Sequence, residues 1–482
     1  MFHHEFLQRQ LMQREKDSRP IRVAVLGAGW FSSGLIEEMF RWPGMTPKII
    51  FSRDPNKAIN ILRSLGVTSG DIALISSRED LRSSSLANRF WVSSRFELLD
   101  ELKGIDVVFD GTGDLLIGAR AAIASINNGI HFVTISSELD STVGCVISLM
   151  AREKGVIYSN CDGDQPGVLA RMIREVRSYG FKIIVAGNCK GFMDVHKTPE
   201  DIKPWVGPGQ NPRMITAFTD GSKQSMELAV TANAFGLLPD KRGMHGPRTT
   251  RETLAEDFQK ILSGPGAVDF TLGIDGVNQG GGVFVVGRRQ GSRVQDDMKY
   301  LKKGKGPDYL FFRDQHLCYF EAPRSIAEAA ILNTATIAPT GHFADVLACA
   351  KKNLQAEEKL DSLGGFTVYG LIDKASVIRS EKLLPLGLSE FAVMRKSIER
   401  DQPITYSMVD FPEDNLVLQL RRKMEENFDL CLLKSGVHEY LHSQGIYPCG
   451  RFGEWEYSNM DHSIMSGKRT ADKINAKTND EY

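Results

Sequence analysis

An α/β fold, with an N-terminal Rossmann-type doubly wound parallel sheet, a second α/β unit and a small β-rich third unit, is expected from three observations. The chain opens on a strand, a glycine turn and a helix; strands and helical stretches then alternate to about residue 340; beyond that, short strands punctuated by Gly-Gly and Pro take over. The 482 residues are enough for two to four domains at about 100–200 residues each.

A surface helix is expected at 4–16. The apolar, β-rich run 21–26 follows, ends in Gly27-Ala28-Gly29, and gives way to the helical spacing of Leu35, Ile36, Met39 and Phe40. Further strands are expected at 47–51, 104–109 and 131–135 with helical stretches between them, so residues 1–160 read as one dinucleotide-binding domain. A strand at 181–186 leads through Gly187-Asn188-Cys189-Lys190 to a helix with Thr198 as N-cap and Pro199 at its first position. A helix near 224–234, a turn at Gly280-Gly281-Gly282 with a strand at 283–286, and strands around 309–312 and 317–320 complete a substrate domain, 161–342. Residues 343–435 read as the β-rich unit, closed by a charged helix at 415–428, and 436–482 as an appended tail.

The 59 basic and 60 acidic residues leave a formal charge of −1. No global field attracts nucleic acid or an anionic membrane, and a small-molecule ligand is the expected partner. The polar start lacks the apolar core of a signal peptide, and no run approaches about 18 uninterrupted apolar residues, so a soluble, cytoplasmic protein is expected. Seven scattered cysteines without CxxC spacing point to free thiols rather than a disulfide framework or structural zinc.

The strongest local motif is Gly27-Ala28-Gly29-Trp30-Phe31-Ser32. Its glycines permit a tight turn and let backbone N–H groups reach a pyrophosphate at a helix N-terminus. The following strand ends in Ser52-Arg53 where an acidic residue would bind the ribose of NAD, which favours NADP; the adjacent Asp54 keeps NAD open. Gly111, Thr112 and Gly113 after a third strand, and Ser136 after a fourth, are placed for the nicotinamide side of the cofactor.

The segments Ser136-Ser137-Glu138-Leu139-Asp140, Gly155-Val156-Ile157-Tyr158-Ser159, Asp220-Gly221-Ser222-Lys223 and Gly243-Met244-His245-Gly246-Pro247-Arg248 resemble the homoserine-dehydrogenase-like reductases that include the atypical (type II) 1-deoxy-D-xylulose 5-phosphate reductoisomerases. The likeness spans about residues 20–430. The third unit resembles the SAF module of such chains and of sialic acid synthases, through Ala350-Lys351-Lys352-Asn353-Leu354 and Gly364-Gly365-Phe366-Thr367-Val368-Tyr369-Gly370. The chain departs from the deoxyxylulose-phosphate enzymes at Asp164-Gln165-Pro166, at Gly187-Asn188-Cys189-Lys190 and around Gly364-Gly365, which puts that substrate in doubt. In the tail, Gly450-Arg451-Phe452-Gly453-Glu454-Trp455 is similar to the flavin-contacting segment of amine-oxidase-like flavoproteins. FAD is not expected, because the single dinucleotide motif is already assigned.

The reading is therefore an NADP-dependent oxidoreductase, a reductoisomerase or dehydrogenase of a small polyhydroxylated or phosphorylated hydroxy-carbonyl compound, expected as a homo-oligomer. A homoserine-dehydrogenase-type reaction and a non-catalytic NADP-binding sensor are the alternatives. Lys190, Glu138 and Asp164 are the candidate catalytic residues. Lys190 is expected just beyond a strand's carboxyl end, where partial burial would lower its pKa toward neutrality, with Glu138 orienting it or the substrate. Asp140, Asp220, Lys223, Asn233, His245 and Arg248 are the candidate substrate contacts. Lys223 and Glu227, four apart on one helical face, are ordinarily an ion pair, and the carboxylates after residue 135 are ordinarily caps of a helix beginning near Thr142. A divalent cation on Glu138 and Asp140 stays open, and His316 reads as a satisfied structural histidine.

Overall fold

The computed structural model describes residues 2–83, 88–207, 211–274 and 281–426. The tail at 436–482 and its flavin-like segment lie outside the described residues, as does Gly280. Among the described residues no helix is long and apolar enough to cross a membrane.

The α/β alternation resolves into a seven-stranded, all-parallel sheet. Its strands are β1 (Ile21–Leu26), β2 (Met45–Phe51), β3 (Ile72–Leu74), β4 (Phe90–Ser93), β5 (Val107–Asp110), β6 (His131–Thr134) and β7 (Tyr158–Asn160), in the order β3-β4-β2-β1-β5-β6-β7. The order reverses beside β1, the switch point at whose carboxyl edge such sheets bind ligands. Both faces are buried: β1 reads Ile-Arg-Val-Ala-Val-Leu with all five of its apolar residues fully covered, as expected of a strand with helices on each side. One covering helix comes from far along the chain. Helix Ala322–Leu332 sends Ala322, Ile326, Ala327 and Ala329 into the core built by β1, β2 and β5, although the sequence reading placed it with the second unit.

The second sheet is mixed. It comprises β8 (Lys182–Lys190), β9 (Leu238–Pro239), β10 (Ala267–Leu272), β11 (Val283–Arg288) and β12 (Asp308–Arg313), in the order β12-β11-β8-β10-β9. β10 runs parallel to the central β8, whereas β11 is antiparallel to both β8 and β12. β8 is longer than expected, because Asn188 and Lys190 keep register with Phe270 and Leu272 of β10. Lys190 is thus the last residue of the strand rather than a loop residue. Gly187 permits this pairing, since a Cβ there would stand 1.9 Å from the Asp269 carbonyl oxygen. Residues 317–320 are not a strand. They form a single 3₁₀ turn, Cys318–Phe320, because Cys318 lies at φ +52° with its carbonyl tucked against Gly163.

The β-rich unit consists of two hairpin-like pairs, β13 (Ala344–Ala350) with β14 (Val368–Lys374) and β15 (Val393–Met394) with β16 (Val409–Asp410), followed by helix Leu416–Glu426. The first pair packs on helix Ser222–Phe235. The helix expected near Thr142 starts earlier: Ser136 caps it by accepting from the Leu139 N–H at 3.1 Å. It runs through Ser137–Leu139, a π turn at Asp140–Gly144 and Cys145–Lys154. Single π turns tend to mark functional sites, and here the Thr142 carbonyl accepts from the buried Arg421 guanidinium at 3.1 Å.

Candidate active site and cofactor cleft

At the switch point, the turn after β1 is built for close approach. Gly27 sits at φ +100°, and a Cβ there would come within 3.0 Å of the Gly111 carbonyl oxygen, while Gly29 faces open space. Helix Trp30–Arg41 begins directly behind with its N-terminal N–H groups toward the turn. A cavity of about 240 Å³ opens here, its wall including Gly27, Gly29, Gly111 and Thr112 together with Arg53, Asp54 and Lys57. Asp54 is spent as the cap of helix Pro55–Ser64, accepting from the Asn56 N–H at 3.0 Å. Ser52 donates its hydroxyl to the Asp54 carbonyl at 2.8 Å. Arg53, Lys57 and the Asp54 carboxylate, whose Oδ1 alone serves the cap, thus share the cavity edge. Lys57 was missed in the sequence, where it reads as a helix surface lysine.

Four of the proposed cofactor contacts lie outside this wall. Trp30 is exposed and meets the Tyr319 ring edge-on at 5.3 Å. Phe31 stacks on Phe109. Gly113 adopts φ +65° in the turn ahead of helix Leu115–Asn127, and Ser136 is the helix cap described above. Beneath the cradle, the fully buried Asp110 accepts from the Thr112 N–H (3.0 Å), the Thr112 hydroxyl (2.7 Å) and the Thr134 hydroxyl (3.0 Å). Burial pushes its carboxyl up, against those three donors.

A second polar constellation gathers where the carboxyl ends of β6 and β8 meet helices Gln165–Ser178 and Ser222–Phe235. Lys223 donates to the Ser137 hydroxyl at 2.7 Å and to Glu138 Oε1 at 2.9 Å, while Ser136 donates to Glu138 Oε2 at 3.1 Å. Lys190 donates to Gln165 Oε1 at 3.1 Å and stands 3.6 Å from Glu227 Oε2. Asn188 donates to both of the same groups, at 2.6 and 3.1 Å. Glu138 therefore pairs with Lys223, and the carboxylate beside Lys190 is Glu227. Lys223 and Glu227 do not form the expected pair along their own helix; each reaches across to another element.

The electrostatics bind these residues into one site. Burial alone would lower Lys223, but Glu138, Asp164 and Glu227 outweigh it and hold the ammonium above the ordinary lysine range. Burial pushes the Glu227 carboxyl up, opposed by Lys190. His316, expected to be merely structural, is held at Nδ1 by the Gly281 carbonyl oxygen at 2.9 Å. Its burial disfavours the cation, yet the hydrogen bond with Cys318 and the charge of Asp164 push it up to about 9. Asp164 occupies the N-cap position of helix Gln165–Ser178 without making a capping bond. Its Oδ2 and the Oδ1 of Asn188 are buried acceptors with no donor. Gln165, Asn188, Glu227 and His316 are the members that sequence reasoning left out of the site.

The other candidate contacts serve the framework. Asp140, fully buried, accepts from the Tyr158 hydroxyl at 3.0 Å, and burial pushes it up to about 7. Asp220 pairs at 2.7 Å with Lys351, the residue that follows β13, both deeply buried. Asn233 Oδ1 accepts the N–H groups of Phe343 and Ala344 at 2.7 and 2.9 Å, pinning the start of β13. His245 Nε2 lies 2.8 Å from Asp240, and its loop is fixed by the Asp269 carboxylate, which accepts the His245 and Gly246 N–H groups. Arg248 alone of this set is exposed, its backbone forming a β-bridge with Leu272, the register partner of Lys190. Among the described residues no group of His, Cys, Asp and Glu is arranged to hold a metal ion, Glu138 and Asp140 included.

Residues 163–322 match the family model of the catalytic domain of the oxidoreductase DRL. That span holds β8 to β12 and every member of the polar site except Ser136, Ser137 and Glu138. No curated protein matches the chain. Among solved structures, an aldose-aldose oxidoreductase from Caulobacter crescentus complexed with glycerol aligns at 14% identity, over 67% of this chain and 92% of that one, with a TM-score of 0.38. KijD10, a 3-ketoreductase from Actinomadura kijaniata in complex with NADP and TDP-benzene, aligns at 13% identity, over 66% and 91%, with a TM-score of 0.36. A biliverdin reductase from Synechocystis sp. PCC 6803, in complex with biliverdin and NADP+, aligns at 12% identity, over 65% and 92%, with a TM-score of 0.35. The chain thus joins a Rossmann-like parallel sheet to a unit similar to an oxidoreductase catalytic domain.

Proposed function

We propose that the protein is an NADP-dependent oxidoreductase of a small polyhydroxylated or phosphorylated hydroxy-carbonyl compound. The observation that carries the substrate class is the pair of donorless buried acceptors, Asp164 Oδ2 and Asn188 Oδ1, beside Lys190 and Lys223. A buried acceptor without a donor costs about 1–3 kcal/mol, and adjacent hydroxyl groups of a substrate would supply the missing donors.

The residues of the first cleft fit a pyridine dinucleotide. Gly27 and Gly111 let the turn pack tightly against Ser32, Gly29 leaves open space at the helix N-terminus for a pyrophosphate, and Arg53 with Lys57 suits a 2′-phosphate. A bound nicotinamide supplies or accepts the two electrons of the reaction. Lys190 holds the proton that goes to, or comes from, the carbonyl oxygen, and Gln165 and Glu227 fix its ammonium. Lys223, kept charged by Glu138, provides a fixed positive field for negative charge developing on that oxygen or for a substrate phosphate. Arg248, exposed beside the strand partner of Lys190, would clamp an anionic group of the substrate.

The test is NADPH consumption by the purified full chain against matched pairs of carbonyl compounds, with and without a hydroxyl on the neighbouring carbon, each also as its phosphate. Turnover confined to the hydroxylated members is expected. Equal turnover of plain ketones, or NADH preferred over NADPH, would sink the reading.

A further inference from the structure

At the opposite, amino-terminal edge of the seven-stranded sheet lies a cavity of about 620 Å³ that no part of the proposed reaction uses. Its wall carries Arg14, Arg19, Arg22, Lys48 and Arg89 against a single acid, Asp106. Asp106 is already engaged, since its Oδ2 accepts the Arg22 N–H at 2.7 Å. Among the described residues Arg14, Arg22 and Arg89 have no carboxylate partner, and Arg19 has only the neighbouring Asp17 at 3.1 Å. The end of helix Phe2–Lys16 accounts for Arg14 and Arg19, because cations are favoured at helix carboxyl ends. It does not account for Arg22, Lys48 and Arg89, which are carried by β1, by β2 and by the residue before β4.

Lys48 is the most informative of these. β2 has one residue more than β1 at this point: Val23 pairs with Pro47 and Ala24 with Ile49, so Lys48 is the bulged residue. Bulges re-aim a side chain and commonly adjoin functional sites. The bulge turns Lys48 over the Trp91 ring, with Nζ 4.3 Å from its centroid and donating to the Arg89 carbonyl. The residue is 6% exposed, and it faces Arg22, whose charge together with burial pushes its ammonium down to about 8. Burying a cation opposite another cation is unfavourable for the protein by itself.

We infer that this cavity is an anion site for a small molecule bearing two or more phosphoryl groups, held by Arg22, Lys48 and Arg89. Paired guanidinium donors bind phosphoryl oxygens bidentately, and the volume admits a ligand larger than a single phosphate. The site is separate from the Arg53 and Lys57 cleft, which lies at the far ends of the same strands.

Calorimetric titration of the full chain with inorganic pyrophosphate tests it, first in a Gly29→Asp/Arg53→Ala/Lys57→Ala background, which sets a carboxylate at the open N-cap where the cofactor pyrophosphate would sit, so that the cofactor cleft cannot report. One site is expected there, with affinity unchanged from the unsubstituted protein and weaker binding of single inorganic phosphate. Arg22→Gln and Arg89→Gln should each weaken pyrophosphate by roughly tenfold or more, as loss of a charge-assisted contact does. Both variants keep a long polar side chain, and Arg89 is exposed, so the fold does not depend on it. Binding that vanishes in the Gly29→Asp/Arg53→Ala/Lys57→Ala protein would assign the anion to the cofactor cleft and overturn the inference. Binding that survives the Arg22→Gln/Arg89→Gln pair, or no binding at all, would overturn it equally.

Discussion

Lys190 and Lys223 are both buried lysines at strand or helix ends, yet their surroundings divide the work between them. Lys223 has two direct acceptors and three nearby carboxylates, so it is a fixed charge. Lys190 shares its acceptor with Asn188 and stands farther from its carboxylate. Lys190→Ala should therefore lower turnover on the order of 10²–10⁴-fold with little change in NADPH affinity; near-normal turnover across the pH range would move the proton donor to His316 or Lys223. Arg53→Ala and Lys57→Ala should each reduce the NADPH-over-NADH preference by roughly tenfold, read as the ratio of the two dissociation constants. Asp140 is a different kind of residue. Its folded pKa is about 7 against about 3.9 in the unfolded chain, so the folded state keeps a proton that the unfolded state releases. The stability this contributes is full below about pH 4 and is lost as pH rises through 7. Asp140→Asn, which carries no charge to bury, should raise the melting temperature relative to the unsubstituted protein increasingly from about pH 5 to pH 8. Parallel melting curves over that range would show that Asp140 is not buried as described.

The element that opens the cofactor cleft was legible from the sequence because its chemistry is local. A β-rich run, two glycines and a helical period suffice to place β1, the turn and the helix behind it. Gly27→Ala should cost about 1–3 kcal/mol, from the positive φ and the 3.0 Å approach to Gly111, and should weaken NADPH binding further; unchanged binding and melting would mean that the turn is not a cradle. Elements set by tertiary pairing were not legible. β10 reads Ala-Val-Asp-Phe-Thr-Leu and carries an acid in its middle, explained only by the N–H groups of His245 and Gly246, 24 and 23 residues earlier in the chain, which the Asp269 carboxylate accepts. The carboxyl half of β8 read as a loop because Gly187 and Asn188 are poor strand formers, and only the register with β10 shows otherwise. The site's partners escaped for the same reason. Glu138 and Lys223 are 85 residues apart, and Asn188 and Glu227 are 39 apart, so their pairing depends on which helices meet.

At the scale of the molecule, the β-rich unit is tied to the rest by buried charge pairs rather than by apolar packing alone. Lys351 reaches Asp220, and Arg421 joins Asp345 to the π turn that follows Glu138. Breaking a buried pair by removing one partner commonly costs about 3–5 kcal/mol. Lys351→Ala should accordingly lower the melting temperature and, by loosening helix Ser222–Phe235, reduce turnover as well; a stable, fully active variant would separate this unit from the site. The first sheet depends equally on a distant part of the chain. Its last strand, β7, is bridged at Asn160 by Ile337, the Asp162 N–H donates to the Ser325 hydroxyl oxygen, and helix Ala322–Leu332 covers part of its core. During synthesis the seven strands of that sheet leave the ribosome long before the helix that covers them. At about 5–20 residues per second, the interval between residues 160 and 332 lasts roughly 9–34 s, during which the part of one apolar face that this helix covers is open to chaperones and to other nascent chains.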